Sequence, residues 1–331
     1  MTRKLRMLGF PLLILLAVLL FTRSADSLPT AASGDYIKWI DFDVTSAALR
    51  DALAADIAAH EAGGTLDWVD ALAWLASRNG GNFSGYKKAD LEKLLELIAD
   101  GSSVAAHVKN EKLYNYYLEA YGAVLGGMVG EYTEWKRGED GTLTSEAKYG
   151  LRVFSPIARG YSFSHYDDFG ASRSYGYRRS HLGHDLMGSV GTPIVAVESG
   201  YVEACGWNQY GGWRVGIRSF DGKRYYYYAH LRRNHPFNDI YEGKIVNAGE
   251  VIGYLGMTGY SAKENVNNID TPHLHYGLQI IFDPSQKDGT NQIWIDMYAL
   301  TAFLEQNRSA TYAADGERCA VRWYEYPETP D

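Results

Sequence analysis

The sequence predicts an α+β fold: a helical N-terminal domain followed by a mainly antiparallel β-sheet domain. Two observations carry this. Between about 34 and 147 apolar residues recur at helical spacing, and beyond about 150 short aromatic and β-branched runs alternate between glycine-containing turns. At 331 residues the chain is long enough for two such domains, each with its own core. The segments divide as 1–30, a helical domain at 31–148, a β-rich domain at 149–308 and a tail at 309–331.

The first segment places Arg3, Lys4 and Arg6 before an uncharged run from Met7 to Thr22, the pattern of an export signal. The run is short for a spanning helix and long for a signal core, so an uncleaved membrane anchor and a cleaved signal peptide both fit, and we take the anchor. Either way the body is expected outside the cytoplasm.

Four helices follow. Leu49, Leu53 and Ile57 step by four before Gly63-Gly64. Trp68, Leu72 and Leu75 follow Thr65 as a cap, and Leu91, Leu94, Leu95 and Ile98 precede Gly101. A longer helix carries Leu113, Tyr117, Tyr121, Val124, Leu125, Met128 and Tyr132. Together they can bury one small core, so their aromatic residues read as core and the domain as a bundle packed against its neighbour. After the strands, Trp294 to Asn307 reads as a closing helix with Ile295, Tyr298, Leu300, Phe303 and Leu304 on its apolar side. The tail from Ser309, with Pro327 and Pro330, is expected to be partly disordered.

The β-rich segment holds the chemistry-bearing residues. His181 and Asp185 form a His-x-Gly-x-Asp pair, His273 and His275 a His-x-His pair. Imidazole nitrogen and carboxylate oxygen are ordinary zinc ligands, and a three-ligand site leaves room for an activated water, which suggests a hydrolase. Residues 273–278 alternate as a half-buried strand, so both imidazoles point to one face and Leu274, Tyr276 and Leu278 to the other. Gly183, Gly188, Gly191 and Pro193 argue for loop and strand around His181 and Asp185. His230 ends the run Tyr225–Leu231, where alternation puts Tyr226, Tyr228 and His230 on a common face. Asp221-Gly222 implies a hairpin with the strand around Trp213 to Phe220. His165, His184 and His235 read as surface or supporting residues.

Order and spacing from Phe154 to Ile281 resemble the lysostaphin/LytM-type zinc metallopeptidases. The matching positions are Phe169-Gly170 with Arg173, His181 to Asp185, Gly191-Thr192-Pro193-Ile194 through Gly200 and Val202, Tyr228-Ala229-His230-Leu231, Ala248-Gly249 with Ile252-Gly253, Gly256 to Gly259, and His273-Leu274-His275. The resemblance implies a metallopeptidase domain with a substrate groove and one Zn2+ on His181, Asp185 and His275. It also implies catalytic roles for His230 and His273, and hydrolysis of peptide bonds in bacterial peptidoglycan stems or cross-links. The rival reading is a catalytically silent wall-binding or scaffold protein on the same fold, against which stands the presence of all five key positions.

Three departures from the family pattern are visible. Gly277 stands where an acidic residue is common, and Tyr260 to Pro272 is longer than the usual turn and should border the groove. The step Gly170-Ala171-Ser172-Arg173 is one residue longer than the common form, so the pattern does not fix a role for Arg173. Trp207, Asn208, Tyr210 and Trp213 fall where the family often builds a groove wall; a hairpin packed on the helices is the competing reading.

The formal charge of −8 leaves no basic stripe for phosphates and argues against a nucleic-acid partner. Cys205 and Cys319 do not make a disulfide scaffold, and Cys205 reads as a buried free thiol.

Overall fold

The computed structural model describes residues 36–330, apart from Gly176 and Thr290. The basic-then-apolar run at 3–22, read above as an anchor, lies outside these residues. No helix among the described residues is long and apolar enough to cross a membrane.

Helix α1 (Ser46–Glu61) is capped by Thr45, whose hydroxyl accepts from the Ala48 amide at 3.3 Å. Helix α2 (Trp68–Asn79) is capped by Asp67 and not by Thr65: the Asp67 carboxylate takes the Val69 amide at 2.6 Å, and Gly80 ends the helix in the left-handed conformation. Helices α3 (Lys88–Leu97) and α4 (Glu111–Leu125) follow. Helix α4 is shorter than its apolar spacing predicts. The helix stops at Leu125 before Gly126-Gly127, and Tyr132 lies on β1 (Val129–Arg137), which pairs with β2 (Leu143–Leu151).

Downstream come β3 (Ser164–His165), β4 (Ser172–Tyr175), β5 (Tyr177–Ser180), β6 (His184–Met187), β7 (Pro193–Val195) and β8 (Gly200–Asn208). Then follow β9 (Gly212–Ser219), β10 (Arg224–Ala229), β11 (Ile245–Val246), β12 (Val251–Tyr254), β13 (His273–Ile280) and β14 (Ile293–Trp294). An eight-stranded antiparallel sheet runs in the order β11-β8-β9-β10-β13-β6-β3, with β14 also on β13. The anticipated hairpin exists, with Tyr228 opposite Val215 and Tyr225 opposite Arg218.

Two further readings change. Trp294 is on β14, and the closing helix is only α5 (Tyr298–Leu304), whose Tyr298 amide is taken by Asp296 at 2.9 Å. The segment after Ser309 forms β15 (Thr311–Ala314), β16 (Glu317–Ala320) and β17 (Arg322–Glu325). Strand β17 completes a three-stranded sheet by pairing with β1, Trp323 opposite Trp135. Cys205 and Cys319 are free and half-buried.

From residue 36 onward the chain is one compact unit, with the helices on the back of the large sheet. Tyr226, Tyr228, Leu274, Tyr276 and Leu278 are buried there, and Trp68 stacks on Phe303 with centroids 6.0 Å apart. A buried ion pair joins the two parts. Arg224 donates to both oxygens of Glu198, at 2.8 and 3.0 Å, and to the Ala123 carbonyl of α4 at 3.0 Å; Tyr226 donates to Glu198 at 2.7 Å. Gly127 is required here because a β-carbon would sit 2.1 Å from the guanidinium. Replacing Glu198 by Ala leaves the buried guanidinium with the half-exposed Asp221 carboxylate, at 2.9 Å, as its only counter-charge among the described residues. We expect a loss of about 3–5 kcal/mol in urea unfolding, much more than for the double change Glu198→Leu with Arg224→Met.

Candidate functional site

Strand pairing assembles the site. Asp185 on β6 lies directly opposite His275 on β13, and His275 lies opposite Ala229 at the end of β10, so the three strands bring Asp185, His275 and His230 side by side. His181 enters from the turn before β6, with its amide bonded to the Ala171 carbonyl at 2.9 Å. Gly183 is the glycine of His-x-Gly-x-Asp because the His275 ring lies against it: a β-carbon there would be 2.5 Å from His275 Cε1. Alternation on β13 is as read, with His273 and His275 on the groove face and Leu274, Tyr276 and Leu278 in the core.

His230 is on the groove face, but not with the tyrosines that alternation assigned to it. Tyr226 and Tyr228 face the core, whereas Tyr225 and Tyr227 line the groove. The chain breaks alternation at His230, which has a φ of 62°, and the ring crosses to the other side.

Three donor atoms meet at one point. His181 Nε2 is 3.0 Å from Asp185 Oδ1 and 2.9 Å from His275 Nδ1, and His275 Nδ1 is 3.0 Å from the same carboxylate oxygen. Tetrahedral ligands at about 2.0–2.1 Å from an ion stand roughly 3.3 Å apart, so the triangle fits a metal ion with slight expansion. Two imidazole nitrogens and a carboxylate oxygen suit zinc, and the remaining ring nitrogen of His181 is already placed. Its Nδ1 donates to the Asp168 carbonyl at 3.2 Å, with the Asp168 carboxylate 3.1 Å away, which leaves Nε2 as the lone-pair nitrogen.

Asp168 was not singled out in the sequence; no spacing rule ties it to His181, and only its place beside Phe169-Gly170 marks it. Arg173 binds Asp168 and reaches Asp185 Oδ2 at 3.4 Å, so it braces two carboxylates.

Burial opposes the charge on Asp185, but the His181 and His275 rings, each 3.0 Å from its Oδ1, outweigh it and hold the carboxyl far below the usual range. Burial also disfavours charged His181; Asp185 and Asp168 win, so its pKa is raised. At His275 burial prevails over Asp185 and the pKa falls.

His230 and His273 are held alike. His230 Nδ1 donates to the Thr258 carbonyl at 2.9 Å and His273 Nδ1 to the Thr271 carbonyl at 2.8 Å, so each keeps its lone pair on Nε2; the rings are 4.8 Å apart. Burial, then the charges of His273 and His275, push the His230 pKa well below its ordinary value. His273 Nε2 is 3.8 Å from Asp185 Oδ1, outside the triangle.

The groove is a cavity of about 560 Å³. Tyr227 and Trp294 line it, and Gly277 belongs there because a β-carbon would meet the Trp294 ring at 2.8 Å. Tyr260, from the long 260–272 segment, borders it as anticipated, as do Asn208 and Tyr210. Trp213 instead donates to Asn265 at 3.0 Å and packs edge-on against Trp207 and Phe237.

Among the other histidines, His235 pairs with Glu317 at 2.6 Å, and His165 Nδ1 lies 2.7 Å from His184 Nε2. His184 is fully buried, and burial, then the neighbouring His165, lowers its pKa to about 4. An unfolded histidine titrates near 6.5, so protons bind the unfolded chain first. This contribution is unchanged above pH 6.5 and is lost as pH falls toward 4, by up to roughly 3 kcal/mol. In metal-stripped protein the urea unfolding free energy should therefore drop more steeply between pH 6.5 and 4 for wild type than for His184→Leu.

Residues 179–289 match peptidase family M23. The chain carries an M23 peptidase domain. It is 33% identical over 187 residues to the L-Ala--D-Glu endopeptidase of Bacillus subtilis, covering 52% of this chain and 56% of that protein. It is 36% identical over 97 residues to lysostaphin of Staphylococcus staphylolyticus, covering 29% and 18%. The chain thus spans little more than half of the first of these curated relatives and less than a fifth of the second. A solved structure from Ruminococcus gnavus, described as a glycyl-glycine endopeptidase LytM, superposes with a TM-score of 0.55 over 83% of this chain and 92% of that one. At 22% identity this shows a shared α+β fold that extends beyond the M23 segment.

Proposed function

We propose that this chain is a zinc-dependent endopeptidase that hydrolyses peptide bonds in the stems or cross-links of bacterial peptidoglycan. The observation that carries the reading is the triangle of His181 Nε2, Asp185 Oδ1 and His275 Nδ1, with two further histidines that keep Nε2 lone pairs beside it. The Bacillus subtilis relative is by its name an endopeptidase for the L-Ala–D-Glu bond.

His181, Asp185 and His275 would hold the ion, which when bound supplies Lewis acidity to a carbonyl oxygen and lowers the pKa of water. The chain's own groups do the rest. His230 and His273 each present an Nε2 able to accept the proton of the attacking water and return it to the leaving amine as the C–N bond breaks. Arg173 and Asp168 fix the Asp185 and His181 side chains, and the Tyr227 and Trp294 rings line the approach. Peptidoglycan lies outside the cytoplasmic membrane, the side to which the run at 3–22 would direct the chain.

The test is digestion of purified peptidoglycan by zinc-loaded protein, scored as new amino termini. Activity should vanish on chelation and return with zinc. Zinc-loaded, folded protein that binds the wall material without releasing termini would sink the endopeptidase reading in favour of a wall-binding protein.

A further inference from the structure

At the end of the groove away from the metal triangle lies a cationic patch that the chemistry above does not use. Arg214 on β9 lines the cavity beside Tyr225 and Tyr227. Its Nε is buried without a hydrogen-bond partner, and no carboxylate among the described residues lies within 4.0 Å of its guanidinium. Desolvating a guanidinium without a counter-charge is costly, and a ligand carboxylate or phosphate is the ordinary remedy.

Lys287 lines the same end, its ammonium 3.7 Å from the Tyr225 ring centroid. Its backbone is pinned, because the buried Gln279 amide donates to the Gln286 and Lys287 carbonyls at 3.0 and 2.9 Å. The acids nearby are already engaged or in water. Glu203 has both oxygens on Arg218, at 2.6 and 3.1 Å, and is 3.9 Å from Lys287; Asp288, 3.7 Å from Lys287, has a side chain 93% exposed. Burial lowers the Lys287 pKa against the pull of Asp288 and Glu203, with smaller pushes in the same direction from Arg218 and Arg214.

Building on the endopeptidase reading, we infer that Arg214 and Lys287 form a subsite for a carboxylate of the substrate peptide. Gln279 lies four residues along β13 from His275, about 13 Å at strand rise, so the carboxylate belongs roughly three to four residues from the scissile bond. A peptide carrying a free acid there is the preferred substrate, and its carboxamide is a poor one.

The probes are the stem-type tetrapeptide L-Ala-γ-D-Glu-L-Lys-D-Ala with its carboxylates free, and the same peptide with each converted to carboxamide. kcat and KM are measured on zinc-loaded wild type, and Kd on zinc-loaded His230→Ala protein. Amidation at the matching position should raise KM and Kd about tenfold and leave kcat little changed. Arg214→Gln should erase the difference and Arg214→Lys keep part of it. Lys287→Met, which keeps an unbranched apolar stem over the Tyr225 ring but removes the ammonium, should weaken it independently. Equal binding of acid and amide by wild type, or undiminished preference in Arg214→Gln and Lys287→Met, overturns the subsite. Discrimination in binding without cleavage of peptide or wall would uphold the subsite and sink the endopeptidase reading; wall cleavage without discrimination would do the reverse.

Discussion

Asp185→Ala should abolish both zinc binding and hydrolysis. The carboxylate contributes one corner of the donor triangle and its only negative charge, and His181 and His275 both bond to it at 3.0 Å. Without it the two imidazole nitrogens are left facing each other at 2.9 Å, a poor site for any cation. Lewis-acid stabilisation is worth several kcal/mol, so turnover should fall on the order of 10³-fold or more. Zinc content by atomic emission should fall from one per chain toward zero, with circular dichroism unchanged. Asp168→Asn is the graded control: it keeps the triangle but removes the negative charge 3.1 Å behind His181, and should cost about 10- to 100-fold in zinc affinity. Metal binding also has to displace the proton that Asp185 and Asp168 favour on His181, so zinc affinity should rise with pH. A variant that retained stoichiometric zinc after loss of Asp185 would remove this carboxylate from the ligand set.

What could be read from the sequence were the features that obey a local period. Residues 273–278 alternate strictly, and the structure keeps His273 and His275 on one face and Leu274, Tyr276 and Leu278 on the other. The helical spacing of α1 to α4 likewise survives, because each helix buries its own stripe.

The errors share a cause: the deciding contact lay far off in sequence or in a single dihedral. The segment after Ser309 looked like a tail because its partner strand is nearly two hundred residues upstream, with Trp323 opposite Trp135. Trp294 looked helical because the apolar spacing after it is helical, yet it pairs opposite Gln279 on β13, and its ring explains why residue 277 has no side chain. His230 was assigned to the Tyr226 and Tyr228 face by a rule that one positive φ suspends. Asp168 and Arg214 carry no motif at all; what marks them is a hydrogen bond to His181 in one case and the lack of a counter-charge in the other.

His230→Ala and His273→Ala should separate chemistry from metal binding. Neither ring has a nitrogen in the donor triangle, so both variants should bind one zinc per chain with affinity close to wild type. Each ring is nevertheless aimed: donation from Nδ1 to a backbone carbonyl, Thr258 for His230 and Thr271 for His273, fixes the neutral tautomer with its lone pair on Nε2. Burial lowers the His230 pKa, so that base stays unprotonated well below pH 6.5, and loss of activity on mild acidification is not its doing. Removing a positioned acid or base typically costs about 10²- to 10⁴-fold, and the loss should appear in kcat more than in KM. Asn in place of His230 puts an amide nitrogen where Nδ1 stands and can keep the bond to Thr258 but has no basic nitrogen, so His230→Asn should be as slow as His230→Ala while restoring any lost stability. Loss of zinc from either alanine variant with its fold intact would make that histidine a ligand, and wild-type turnover in both would leave the proton transfer to some other group.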